Sequence, residues 1–189
     1  MLDIDHFISG FSDHFETTPY KQPWDIANNL ILLIEAIIPN LDEGYVINNG
    51  VAIHKSAMVE PGVVFKSPAI IMEGCVIAAN AYFREGAILD KFVKIGAGYE
   101  IKSSIICSNT AIAHFNYIGN SIIGRNVNFE AGSIAANHYN ERDTKEISVR
   151  VGMEIIKTNS KKFGALVGDG SRIGANAVLS PGTVLEKNS

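Results

Sequence analysis

Apolar residues recur at every sixth position over the middle of this 189-residue chain. Counting by six from Ile47 meets Ile53, Val59, Phe65, Ile71, Ile77, Phe83, Leu89, Ile95, Ile101, Cys107 and Ala113, all apolar. Four positions after most of them stands a second small or apolar residue: Ala57, Val63, Ala69, Cys75, Ala81, Ala87, Val93 and Ala111. A period of six fits neither a 3.6-residue helix nor two-residue strand alternation. It fits a solenoid whose short parallel strands each turn a corner and stack one coil above the last. The predicted fold is therefore an all-β solenoid, a parallel β-helix of hexapeptide repeats with three strands to a triangular coil.

The count slips after Ala113, passing through Ile118, Ile123, Phe129 and Ala135, and then loses phase. It returns at Val167, Ile173, Leu179 and Leu185, which makes between six and seven coils. At about 4.8 Å per stacked strand the prism would stand about 30 Å tall. Between the two phased stretches lies an extruded loop at about 136–166, in which Ile147, Val149 and Val151 alternate before Gly152 and suggest a hairpin. The solenoid is assigned to residues 46–189 and a separate helical segment to residues 1–45.

In that segment, the apolar run between Pro23 and Pro39 predicts one helix, with proline near its start and just past its end. Its apolar stripe is broad, so it must pack on something. A shorter helix is predicted around Ile4 to Phe15. Together they are expected to cap the open lower end of the solenoid, where strand edges and core would otherwise meet water.

Charge divides along the same boundary. Residues 1–45 carry eight acids and one base, Lys21, whereas residues 46–189 carry twelve acids and fifteen bases, which sums to the net −4 of the chain. A mildly basic solenoid suits a phosphorylated ligand. Cys75 and Cys107 both fall on apolar repeat positions and read as small core residues rather than as a disulfide. The first residues, Met-Leu-Asp-Ile-Asp-His, lack the basic start of a signal peptide, and no apolar run has membrane-spanning length. A cytoplasmic protein is expected, with neither nucleic acid nor membrane as partner.

Breaks in a monotonous repeat are where chemistry is expected. Two stand out: the slip at His114-Phe115-Asn116-Tyr117-Ile118-Gly119 and the extruded loop opening Asn137-His138-Tyr139-Asn140. His114 follows Ala113, which the count places inward, so its imidazole is expected outside. An imidazole titrating near its ordinary value of about 6.5 can take a proton from an amine that attacks a thioester. A metal-dependent β-helix enzyme needs three histidines at solenoid spacing; His54, His114 and His138 do not fall at it, so no metal is expected.

The stretch from His114 to Asn137, HFNYIGNSIIGRNVNFEAGSIAAN, resembles the acetyltransferase domain of bifunctional sugar-1-phosphate nucleotidylyltransferase/glucosamine-1-phosphate N-acetyltransferases. The likeness extends over roughly residues 70–187. It implies a left-handed β-helix, a homotrimer with sites between adjacent prisms, and acetyl transfer from acetyl-CoA to an amino-sugar 1-phosphate. By position it makes His114 the general base. Arg84 and Lys102 fall on the family's phosphate-binding residues, and Tyr117, Asn128 and Asn137 on its sugar-side positions. Ala131, Gly132 and Ala175 match small positions along its acetyl-CoA groove. Arg84 and Lys102 stand thirty and twelve residues before His114, whole multiples of six, which would give all three the same slot relative to the repeat.

The chain departs from the family at Glu130-Ala131-Gly132, where Gly-Ala-Gly is usual, at His138, and at Asp143, which takes the slot of a loop lysine. Pro23 to Asn28 is similar to the linker helix that joins a nucleotidylyltransferase to a β-helix in such enzymes, though the Gly-rich loop of that domain does not occur in the sequence. The alternative reading is a non-catalytic sugar-phosphate-binding or regulatory subunit that partners a separate nucleotidylyltransferase. A purely structural solenoid is a third, which the His, Arg and Lys spacing argues against.

Overall fold

A computed structural model describes residues 2–189. From Val51 onward the chain winds into a parallel β-helix with three faces. The first face stacks Val51–His54, Ala69–Ile71, the ends of Tyr82–Leu89 and Glu100–Ile106, then Ile122–Ile123, Ala165–Val167 and Thr183–Leu185. The second stacks Met58–Val59, Val76–Ile77, Lys94–Ile95, Ala111–Ile112, Asn128–Phe129 and Arg172–Ile173. The third stacks Val64–Phe65, the starts of Tyr82–Leu89 and Glu100–Ile106, then Tyr117–Gly119, Ile134–Ala135 and Val178–Leu179.

Inside the prism the repeat residues form one hydrophobic column. Ile71, Ile77, Phe83, Leu89, Ile95 and Ile101 are fully or almost fully buried there, as the count by six requires. After Ile101 the observed register differs from the count. Leu89 pairs with Ile106 and Ile95 with Ile112, so the inward residues are Ile106 and Ile112, not Cys107 and Ala113. The ladder shifts between Arg84/Lys102 and Ala87/Ser104, where one residue, Ser103, stands opposite two, Glu85 and Gly86. A second short step separates Ile118 from Ile123. The His114 motif is thus not a break: Ile112 to Ile118 is an ordinary six-residue step. Both short steps, and the extrusion between Ala135 and Ala165, occur at the corner joining the third face to the first.

The helical segment is α1 (Ile4–Phe7), α2 (Phe11–His14), α3 (Pro23–Asn28) and α4 (Leu30–Ile37). The single helix expected between Pro23 and Pro39 is divided at Asn29, whose side-chain amide donates to the Asp25 carbonyl at 2.9 Å. Asparagine commonly offers its backbone such an alternative to helix. The helices do not cap the lower end. Phe7, Phe11, Trp24, Leu30 and Ile34 bury themselves against the outer side of the first face, on Ile70, Ile88, Ile105, Ile122 and Leu166. Burial contributes about 1.5–3 kcal/mol for each such side chain. Cys107 belongs to this outer layer, whereas Cys75 lies inside the prism, where burial raises its thiol to about 11.

The lower end is closed on one side only, by Tyr45–Asn48 running antiparallel to Val51–His54. An open cavity remains there, lined by Val46, Ile53, Ala57, Val59 and Phe65 among others. Among the described residues no helix is long and apolar enough to cross a membrane.

Polar latches fix the helices in place. Asp90, 1 % exposed, accepts from the Lys91 amide at 2.8 Å and the Ser108 amide at 3.0 Å, and its Oδ1 lies 2.9 Å from His14 Nε2. Asp169 accepts from the Ser9 amide at 2.9 Å and the Arg125 amide at 2.7 Å. Asp90→Ala leaves the part-buried Lys91 and Ser108 amides without their carboxylate acceptor and is expected to lower stability by about 2 kcal/mol, read as a shift of the urea midpoint.

Candidate active site

The corner between the second and third faces carries His114. Backbone bonds stack this corner coil on coil: the Phe115 amide donates to Ala97 at 3.2 Å, Gly132 to His114 at 2.9 Å, and Asn176 to Ala131 at 2.9 Å. Ala97, His114, Ala131 and Ala175 therefore form one column, in which His114 is the only large side chain. Its imidazole is exposed and makes no hydrogen bond among the described residues. Ala131 and Gly132 are half-buried and Ala175 is exposed; a Cβ built on neighbouring Gly174 meets nothing within 4 Å. The surface above His114 is thus a strip of small side chains.

Phe115 follows in the left-handed region at φ +57 and is 75 % exposed. A Cβ on Gly98, one coil below and itself at φ +66, would come within 2.8 Å of its ring. Only glycine accommodates both that approach and that φ without strain. A bulky residue at positive φ is strained, and such strain gathers at functional sites.

The opposite edge of the third face, where it turns into the first, is built from charged and amide side chains. Arg84 and Lys102 are ladder neighbours, with Gly119 next above them. They share a slot, one residue after an inward Phe83 or Ile101. His114 does not share it, being two residues after Ile112. Arg84 Nε bonds Glu100 at 2.7 Å and its Nη1 bonds Glu85 at 2.8 Å, while Lys102 Nζ lies 3.0 Å from the other oxygen of Glu85. Lys102 is 4 % exposed. Its own burial, with the nearby Lys162 ammonium adding to it, pulls its pKa down despite Glu85. Burial would raise the carboxyl of Glu85, but the bond to Lys102 and the surrounding cations bring it below its ordinary value.

Tyr117 and Asn137 meet over Gly119. A Cβ on that glycine would collide with the Tyr117 hydroxyl and stand 2.7 Å from Asn137 Nδ2, so the missing side chain makes the room they occupy. Burial, then Glu100, raises the phenol of Tyr117, against which Arg84 and the Asn137 amide act. Asn137 Nδ2 donates to Asn120 Oδ1 at 2.6 Å, and Asn120 Nδ2 in turn to Asn28 Oδ1 at 2.8 Å.

The structure therefore brings Arg84, Lys102, Tyr117 and Asn137 together, and separately places His114, Ala131, Gly132 and Ala175 on one corner. Within the chain these groups occupy opposite edges of the third face. Asn128 joins neither: it lies on the outer side of the second face, between Ala111 and Arg172, with its amide donating to Glu130 at 2.9 Å. That bond draws the Glu130 carboxylate along the second face. Among the described residues no three His, Cys, Asp or Glu side chains gather as a metal-binding group.

Sequence reasoning missed Glu85, Glu100, Asn120, Asn28 and Lys162 at the charged corner. Glu85, Ser103 and Asn120 all sit at positive φ, +55, +46 and +45, one residue after Arg84, Lys102 and Gly119. That recurrence was present in the sequence as a near-coil spacing. Lys162 was visible only as one of several loop cations.

A family model described as "GMPPB C-terminal domain" matches residues 41–156, more than half of the chain. Among curated proteins, "Bifunctional protein GlmU" of Methanococcus maripaludis strain S2 is 42% identical over 171 residues, covering 88% of this chain and 41% of that protein. The "Bifunctional sugar-1-phosphate nucleotidylyltransferase/acetyltransferase" of Sulfurisphaera tokodaii is 36% identical over 168 residues, 85% of this chain and 41% of its own length. The chain thus spans about 41% of the length of these relatives. A solved structure, a mutant of GDP-perosamine N-acetyl transferase from Caulobacter crescentus with CoA and GDP-perosamine, matches 69% of this chain and 66% of its own at 20% identity and a TM-score of 0.34. By the family match, which begins at residue 41 just before the solenoid and runs across both corners into the extruded hairpin, this chain belongs to the GMPPB C-terminal domain family.

Proposed function

We propose that this protein is an acetyl-CoA-dependent N-acetyltransferase acting on an amino-sugar 1-phosphate of the glucosamine 1-phosphate kind. The observation that carries the reading is the column Ala97–His114–Ala131–Ala175: an exposed imidazole at the foot of a strip of small side chains. Acetyl-CoA supplies the activated acyl group, and Ala131, Gly132 and Ala175 leave its pantetheine arm a path past the corner. His114 takes the proton of the substrate amine as the nitrogen bonds the acetyl carbon. The carbon–sulfur bond then breaks, and the departing thiolate receives that proton from His114.

At the other edge, Arg84 and Lys102, with Lys162 beside them, match a phosphate dianion, which Arg binds through two parallel hydrogen bonds. The phosphate displaces Glu85 and Glu100 from these cations. Tyr117 and Asn137 then flank the sugar ring, and Asn128, on the second face beside the His114 corner, approaches it from the neighbouring prism. Because His114 and Arg84 lie at opposite edges of one face, a complete site needs the His114 corner of one prism against the charged corner of another, which favours a homotrimer.

The test is thiol release from acetyl-CoA with a panel of amino-sugar 1-phosphates, repeated on mixed oligomers. His114→Ala and Arg84→Ala subunits, each inactive alone, are expected to recover activity on reassembly together, since one interface then holds both wild-type residues. A monomer by light scattering, or mixtures as inactive as their parents, would remove the shared-site model.

One observation favours a second reading. Pro23–Asn28, the segment similar to the linker helix beside a nucleotidylyltransferase, does form a helix, which suits a regulatory sugar-phosphate-binding subunit working with a nucleotidylyltransferase. In that case the panel yields binding without turnover.

A further inference from the structure

We infer that Asn28, at the end of α3 in the N-terminal helical segment, is a positioning residue for the sugar-side pocket of the solenoid; this rests on the transferase reading. Asn28 uses both ends of its amide. Its Oδ1 accepts from Asn120, which holds Asn137, which meets the Tyr117 hydroxyl over Gly119. Its Nδ2 donates to Ser160 Oγ at 2.9 Å and to the Lys162 carbonyl at 3.0 Å. One side chain thus ties a helix to the corner of the prism and to the returning limb of the extruded loop, 134 residues away in sequence.

The geometry favours positioning over mere adhesion. Adhesion is already provided by apolar contacts: Trp24 packs edge-on to Phe163 with centroids 5.8 Å apart, both almost fully buried, and α4 lies along the first face. Asn28 is polar at the point where the apolar contact stops and the charged corner begins. An amide chain in which the oxygens of Asn28 and Asn120 each take a defined donor, the second from Asn137 Nδ2, fixes which way the Asn137 amide faces. It also fixes the backbone of Lys162, and so the reach of the ammonium that stands beside Lys102. The acidic helical segment then has a role that its packing alone does not explain: it sets the shape of a site to which it contributes no charge.

The experiment uses the full chain. Asn28→Ala removes the shared amide, and Asn29→Ala removes the neighbouring amide, which bonds only within the helices. Asn28→Ala is expected to raise the KM for the amino-sugar phosphate about tenfold with kcat and the KM for acetyl-CoA unchanged. Asn29→Ala is expected to lower the melting temperature and leave both KM values alone. In parallel, hydrogen exchange is followed at the Phe163 and Gly164 amides, which donate to the backbone carbonyls of Asn137 at 3.1 Å and Asn120 at 2.9 Å. In Asn28→Ala their exchange should quicken about tenfold. A wild-type protein without turnover or sugar-phosphate binding sinks the transferase reading but leaves the exchange arm to decide the positioning. Unchanged exchange at both amides, or an unchanged KM in an active enzyme, overturns the role of Asn28.

Discussion

His114→Ala is expected to lower kcat for acetyl transfer about a thousandfold, within the usual range for loss of a general base, and to leave both KM values within about twofold. The fold should not notice. The imidazole is exposed and has no hydrogen-bond partner among the described residues, and the structural bond at this position, from the Gly132 amide to the His114 carbonyl at 2.9 Å, is kept by alanine. Melting temperature is the control. A variant as active as wild type would move the base elsewhere, and with it the significance of the alanine column. A variant both inactive and destabilised would make the histidine a structural residue of the corner.

The second large effect is on stability and reads the register directly. Ile112→Asp should leave the protein unfolded or insoluble, whereas Ala113→Asp should stay within about 1 kcal/mol of wild type in urea unfolding. Ile112 is 2 % exposed, stacked between Ile95 and Phe129 in the sealed prism, where a carboxylate has neither water nor a partner. Such a charge costs several kcal/mol, a large part of the about 5–15 kcal/mol that holds a domain together. Ala113 is half-exposed on the outer surface, where a carboxylate reaches water. The six-residue count from Ile47 carried through Cys107 and Ala113 expects the opposite ranking, so the pair of variants separates the two registers in one measurement.

From Ile53 to Ile101, though not at Ile47 on the antiparallel strand, the period alone identified the solenoid and its inward column, because a triangular prism admits apolar side chains and repeats that demand on every strand. Beyond Ile101 hydrophobicity could not place the slip. Ile106 and Cys107, like Ile112 and Ala113, are adjacent apolar pairs, and only the backbone ladder decides which member turns inward. The second apolar layer was legible but unread. Ile70-Ile71, Ile88-Leu89, Ile105-Ile106, Ile122-Ile123 and Leu166-Val167 are paired runs, and strands buried on both sides lose their alternation. Those pairs place the helices on the first face rather than over the open end.

The site divides in the same way. The motif from His114 to Asn137 was visible because its residues are close in sequence, although the winding of the prism spreads them over both edges of the third face and onto the second. The charged corner was only half visible. Arg84 and Lys102 could be found by coil spacing, but Glu85 was hidden behind a turn, and Asn28 and Lys162 arrive from segments with no repeat to announce them. A periodic sequence thus determined the prism, since each coil repeats the same local burial requirement. Which segments close over its charged corner depended on contacts between stretches more than a hundred residues apart, and those only the tertiary structure decided.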